Sequence, residues 1–212
     1  MKHLLKIGRN AKKAAQIKID NKTKNKVLEK FLLLIEKNKN KIFFANNKDI
    51  SFAAKKNIPE NLINRLKLDK VKIEDIQKSI YNIKKLDDPT NKVIEKWKRP
   101  NGLLIKKIST PIGVIGVIYE SRPNVTSDVS SLCFKSGNSI ILRGGSEAYF
   151  SNKILANLFR KALKDNKVDP NYVQFIKSRN RRLVDILLSK MEKYIDLVIP
   201  RGGKNLVKKV QK

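Results

Sequence analysis

From Pro111 onward short apolar runs alternate with amphipathic stretches, and this alternation limits what the chain can become more than any other feature. The run PIGVIGVIY (111–119) is too short for a buried helix and rich in β-branched residues, so it reads as a strand buried on both faces. The pattern predicts strand 112–119, helix 125–136, strand 139–143, helix 146–164, strand 172–176, helix 180–190, strand 195–199 and a helix opening at about 203. That order implies an α/β fold: a parallel sheet with right-handed crossovers and helices on both faces. Ligands of such sheets bind beyond the carboxyl ends of the strands, which directs attention to the loops 120–124, 143–147 and 200–204.

The preceding region reads differently. Val27, Leu28, Phe31, Leu32, Leu34 and Ile35 recur at helical spacing, as do Ile73, Ile76, Ile80 and Ile83, so residues 1–86 are predicted helical. Asn-rich sequence near 46–47 and Pro59 are the predicted breaks. Val93 to Trp97 and Leu103 to Ile108 flank Asn101-Gly102, a pair suited to a tight turn with positive φ, so a hairpin is expected there. The boundaries drawn are 1–110 for helices and hairpin and 111–212 for the sheet domain.

Several function classes fall away on composition. One cysteine, Cys133, and one histidine, His3, supply neither a disulfide nor a zinc site, so no metal is expected. Apolar runs such as FLLLI (31–35) are far short of the roughly 18–20 residues that span a bilayer, and Lys6, Arg9, Lys12 and Lys13 break the opening stretch. The reading is a cytoplasmic protein with no membrane partner.

A net charge of +29 invites a non-catalytic basic nucleic-acid-binding module as an alternative. Two observations oppose it. Thirty-eight lysines, twenty-one asparagines and twenty-five isoleucines share A/T-rich codons, and residues 108–152 are neutral, with three bases against three acids. The lysines are expected on solvated helix faces, without the aromatics that a single-stranded nucleic-acid site places between its charges. No nucleic-acid partner is expected, and a dinucleotide-binding fragment without a role of its own is a third reading.

The three loops carry the candidate residues. In ESRPNVTSD (120–128), Arg122 can grip a carboxylate or phosphate and Asn124 offers an amide to an oxyanion, with Ser121 and Thr126 as nearby hydroxyls. The plainer reading is a turn in which Asn124 or Thr126 caps the next helix. In ILRGGSEA (141–148), Gly144 and Gly145 let a ligand approach the backbone, Arg143 can meet a phosphate and Glu147 a ribose hydroxyl, or Ser146 merely caps a helix. In IDLVIPRGGKN (195–205) the scheme repeats with Arg201, Gly202 and Gly203. Two Arg-Gly-Gly turns on one sheet edge suit a dinucleotide. Cys133 lies between Leu132 and Phe134 on a predicted helix and reads as a packing residue. His3 is expected on an exposed terminal helix.

The stretch PIGVIGVIYESRPNVTSDVSSLCFKSGNSIILRGGSEAYFSN resembles gamma-glutamyl phosphate reductase (glutamate-5-semialdehyde dehydrogenase), of the aldehyde dehydrogenase superfamily. GRNAKKAAQ, ANNKDI, NRLKL, LDDP, NGLLIKKI and IDLVIPRGGKNLV extend the resemblance over nearly the whole chain. It implies a Rossmann-type cofactor domain, an oligomerisation hairpin, and reduction of an acyl phosphate by NADPH. On that resemblance Arg143, Gly144, Gly145, Ser146 and Glu147 line the adenosine side of the cofactor. Arg201, Gly202 and Gly203 lie near its phosphates, Ser121 and Arg122 bind substrate, and Asn124 is the catalytic oxyanion donor. The resemblance also implies a homo-oligomer when full length and a cysteine nucleophile after the IPRGG motif. Cys133 does not match that cysteine, so the chain is expected to be the N-terminal half, inactive alone.

Overall fold

The structure, a computed structural model, describes residues 2–180 and 182–210. Five helices come first: α1 (Lys2–Ala15), α2 (Asn21–Lys37), α3 (Lys39–Lys55), α4 (Glu60–Leu66) and α5 (Lys70–Lys85). Asp20 and Asp69 start α2 and α5, each accepting from a backbone N–H three residues on at 2.8 Å. The expected break near 46–47 is absent. Those asparagines lie inside α3, and Asn46 is buried for a tertiary reason. Its amide donates to Leu66 O at 2.8 Å and Ser151 Oγ at 3.1 Å, while Leu68 N donates to its Oδ1 at 2.8 Å.

β1 (Val93–Lys98) and β2 (Leu104–Ile108) form the predicted antiparallel hairpin. Its turn is longer than a two-residue one. Gly102 N donates to Arg99 O and Arg99 N to Leu103 O, with Pro100 and Asn101 at the corner and Gly102 at φ +86°, the geometry of a type I turn closed by a left-handed glycine. Both strands are almost wholly exposed.

The sheet is four-stranded and parallel, in the order β5-β4-β3-β6. Its elements are β3 (Val114–Tyr119), α6 (Pro123–Lys135), β4 (Ser139–Arg143), α7 (Tyr149–Asp165), β5 (Val173–Phe175), α8 (Arg182–Lys190), β6 (Leu197–Arg201) and α9 (Lys204–Val210). The predicted alternation holds, with local offsets. Pro123, whose fixed φ suits the first helical position, starts α6 two residues early. A short 3₁₀ turn, Ser146–Ala148, precedes α7, and another, Pro170–Tyr172, takes the first residue of the predicted fifth strand. β6 lies two residues later than predicted, and Arg201 belongs to it. Arg181, within the predicted helix 180–190, lies outside the described residues.

Side chains of β3 alternate between two cores. Ile115, Val117 and Tyr119 join Ile140, Leu142 and Phe175 under α2, α5, α6 and α7, where Phe31 and Phe159 meet at 4.7 Å. Val114, Ile118 and Ile141 face Leu4, Ile7 and Ala11 of α1 and Val184 and Leu187 of α8. The N-terminal helices thus complete both faces of the sheet.

Two lysines depart from the solvated faces expected of them. Lys24 is 2% exposed and pairs with Asp88 Oδ2 at 2.7 Å. Lys135, equally buried, donates to the Oδ1 atoms of Asn21 and Asn25 and to Lys84 O. Cys133 is buried on α6, and His3 is exposed on α1.

Candidate functional site

Strand order reverses at β3, whose neighbours are β4 on one side and β6 on the other. The carboxyl ends of those three strands therefore splay around a crevice, the usual ligand position in such a sheet. A cleft of about 510 Å³ lies there. It is lined by Ser121 and Arg122 after β3, by Arg143, Gly145, Ser146 and Glu147 after β4, and by Arg201, Gly202 and Gly203 after β6. Nine of the eleven residues to which the resemblance assigns a role thus meet in one place. Asn124 lines an adjoining cleft and Gly144 lies behind the wall.

Ser121 has φ +41°, in the left-handed region that β-carbon-bearing residues avoid. Glu147 holds it there. Its Oε1 accepts from Ser121 N at 2.9 Å and Ser121 Oγ at 2.8 Å, and its Oε2 accepts from Ser146 Oγ at 3.3 Å. The two glycines between Arg143 and Ser146 serve this packing rather than leaving open space. A Cβ on Gly145 would lie 2.1 Å from Glu147 Oε1, and one on Gly144 would lie 2.2 Å from Asn152 Nδ2. Beneath them Tyr119 Oη and Thr126 Oγ1 share a hydrogen bond of 2.6 Å, and Thr126 Oγ1 donates to Asn152 Oδ1 at 3.0 Å. Burial pushes the Tyr119 phenol up, so it stays protonated and holds its bond. Thr126 therefore joins α6 to α7 instead of capping α6, and Asn124 does not cap either.

The arginines differ. Arg143 is buried; its Nη1 donates to Gly144 O at 3.0 Å and its Nη2 to Asn180 O at 3.3 Å, tying β4 to the segment before α8. Arg122 and Arg201 are exposed. Glu120, which the sequence reading passed over, stands between β3 and β6: its Oε2 accepts from Gly203 N at 3.0 Å, and a Cβ on Gly202 would lie 2.5 Å from the same atom. A carboxylate thus occupies the amide that a bound anion would take. The only advance signal for Glu120 was its place at a strand's carboxyl end. Asn124 Nδ2 donates to Asp128 Oδ2 at 3.2 Å, one turn along α6. Burial raises the Asp128 carboxyl pKa against the opposing pull of Ser79, Asn124 and Arg201.

Cys133 lies elsewhere. It lines a cleft with Pro111, Ile112 and Ile115, at the amino end of β3, and burial pushes its thiol up to about 12. Among the described residues no cluster of histidine, cysteine or carboxylate side chains could hold a metal ion, and no helix is long and apolar enough to cross a membrane.

The fold is of the aldehyde dehydrogenase kind. A probable aldehyde dehydrogenase from Listeria monocytogenes superposes with a TM-score of 0.74 over 99% of the chain and 44% of its own length, at 15% identity. No family model matches the chain. The gamma-glutamyl phosphate reductase of a Nitratiruptor species is 45% identical over 210 residues, covering 99% of this chain and 50% of that protein. The crystal structure of gamma-glutamyl phosphate reductase from Thermotoga maritima matches with a TM-score of 0.95 and 37% identity over 98% of this chain and 50% of its own. Over nearly its whole length the chain is similar to the N-terminal half of gamma-glutamyl phosphate reductases. It spans about half the length of the curated relatives it matches.

Proposed function

We propose that the chain is the cofactor-binding part of an enzyme that reduces L-glutamyl 5-phosphate with NADPH. The products are L-glutamate 5-semialdehyde and inorganic phosphate, in the second step of proline biosynthesis from glutamate. The name of the relatives supports this substrate and this direction. The observation that carries the reading is the convergence of both Arg-Gly-Gly turns and the ESRPN loop on one cleft at the point where strand order reverses.

The residues present fit a dinucleotide. The nicotinamide supplies the hydride. Arg143 lies at the end of β4 and serves the 2′-phosphate, which a planar guanidinium binds bidentately. Arg201, Gly202 and Gly203 serve the pyrophosphate, and Glu120 gives up the Gly203 amide when it arrives. Ser121 and Arg122 bind the substrate. Asn124 donates to the reacting carbonyl oxygen with the amide proton that Asp128 does not hold. The enzyme is cytoplasmic and assembles through the exposed hairpin β1–β2.

Fluorescence titration of NADPH and NADH into the wild-type chain and Arg143→Ala tests this reading. Loss of a charge-assisted contact is worth about 1.5–3 kcal/mol, so NADPH affinity is expected to fall about ten- to a hundred-fold while NADH affinity changes little. An equal fall for both cofactors would reduce Arg143 to its backbone bonds with Gly144 and Asn180. No binding of either cofactor by wild type would overturn the reading.

A further inference from the structure

Beside the Gly-rich cleft a second one, of about 580 Å³, opens between α4–α5 and the first turns of α6. Arg65 and Arg122 line both clefts. In this second cleft the two charge signs face each other. Lys72 is already engaged, its ammonium donating to Asn64 O at 2.8 Å and Lys67 O at 2.7 Å. The guanidinium groups of Arg65 and Arg122 make no such bond among the described residues. The acidic groups of the cleft are Asp75, exposed on α5, and Asp128, half-buried on α6. Asp128 Oδ2 accepts from Asn124 and its Oδ1 is buried beside the Ser79 hydroxyl, so Asp128 is held by neutral groups and makes no ion pair among the described residues. Leu68 and Ile76 supply an apolar wall.

A half-buried carboxylate held only by neutral donors is stabilised by a ligand that brings a positive charge. A simple anion would meet the arginines and leave Asp128 unanswered, and a simple cation would do the reverse. A ligand with an ammonium and a carboxylate on one carbon answers both. We propose that this cleft binds the α-amino-acid end of the substrate. Asp128 receives the ammonium, Arg65 and Arg122 receive the α-carboxylate, and the methylenes run along Leu68 and Ile76 to leave the acyl group at Asn124. The inference rests on the proposed reaction and assigns the residues that select an amino-acid substrate over an acyl phosphate lacking the amino group.

The test is a ¹⁵N–¹H NMR titration of the full chain with L-glutamate, glutarate (no ammonium) and 4-aminobutyrate (no α-carboxylate). L-Glutamate is expected to shift amides in 64–79 and 122–128 and to bind about tenfold or more tightly than either analogue. Asp128→Asn should abolish the preference over glutarate while leaving glutarate affinity within about twofold. Arg65→Gln should abolish the preference over 4-aminobutyrate. Spectral dispersion reports whether each variant is folded. Equal affinities for the three ligands, shifts confined to other surfaces, or an unchanged preference in folded Asp128→Asn overturns the inference. NADPH added to the same samples separates the two readings. NADPH binding without an L-glutamate response removes this inference alone, whereas an L-glutamate response without NADPH binding removes the cofactor assignment alone.

Discussion

Ser121 sits at the carboxyl end of β3 in a left-handed conformation that costs a non-glycine residue on the order of 1–3 kcal/mol. The two hydrogen bonds from Ser121 to Glu147 offset that cost and turn the loop into the cleft. Strain at this position therefore works as positioning: Arg122 follows directly and projects where both clefts meet. Cys133 is the opposite case, a reactive residue type in an unreactive setting. A nucleophilic thiol needs a lowered pKa or an adjacent base, and this one is buried with its thiol raised to about 12. The purified chain is expected to show no phosphate-dependent reduction of NADP with glutamate 5-semialdehyde. Turnover that Cys133→Ser abolishes would contradict the packing assignment, and turnover that survives it would move the chemistry to another residue.

Among the elements, α2 and the segment before the hairpin are joined by a partly buried ion pair. Lys24 reaches Asp88 at 2.7 Å and Thr90 Oγ1 at 3.4 Å. Burial pushes the Asp88 carboxyl pKa up, but the Lys24 ammonium and the Thr90 N–H and hydroxyl outweigh it, and the net pKa lies below the ordinary 3.8. The folded chain thus takes up this proton at lower pH than the unfolded chain. The contribution to stability is complete above the unfolded value and is lost as pH falls through the depressed folded one. Urea titrations should show Lys24→Met less stable than wild type by about 1–3 kcal/mol at pH 7, because the partly buried partner carboxylate is left without its counter-charge. The gap should narrow at pH 3. A gap that is the same at both pH values would mean that Lys24 contributes packing alone. Asn46 plays a similar joining role for α4, holding Leu66 O and Leu68 N and so fixing the helix that carries Arg65 over the cleft.

On the scale of the whole molecule, β6 has a strand neighbour on one side only among the described residues. Leu197 and Ile199 on it are 40% and 41% exposed, and Leu86, Ile112 and Leu132 form a further apolar surface around the cleft at the amino end of β3. An exposed apolar edge strand is a template for pairing between chains. Sedimentation velocity is expected to show association that rises with concentration, and Ile199→Lys should weaken it about tenfold by placing a charge on that edge. A monodisperse monomer with a sharp thermal transition would count against this.

The order of elements was legible because it depends on periodicity and on turn residues that act locally. The run 111–119 could be only a buried strand, and the Ile73–Ile83 repeat only one face of a helix. The three loops were legible for the same reason, since a parallel sheet brings the carboxyl ends of its strands to one edge. What those loops do internally was not legible. The missing β-carbons of Gly144 and Gly145 make room for Asn152 and Glu147, and Glu120 reaches Gly203 across 83 positions of sequence. The burial of Lys24 likewise depends on a partner 64 residues away. Local spacing sets which strand or helix a residue joins and which face it takes. Whether a charge on that face meets water, a ligand or a distant counter-charge is settled only when the elements pack, because desolvation and pairing depend on neighbours brought together in space.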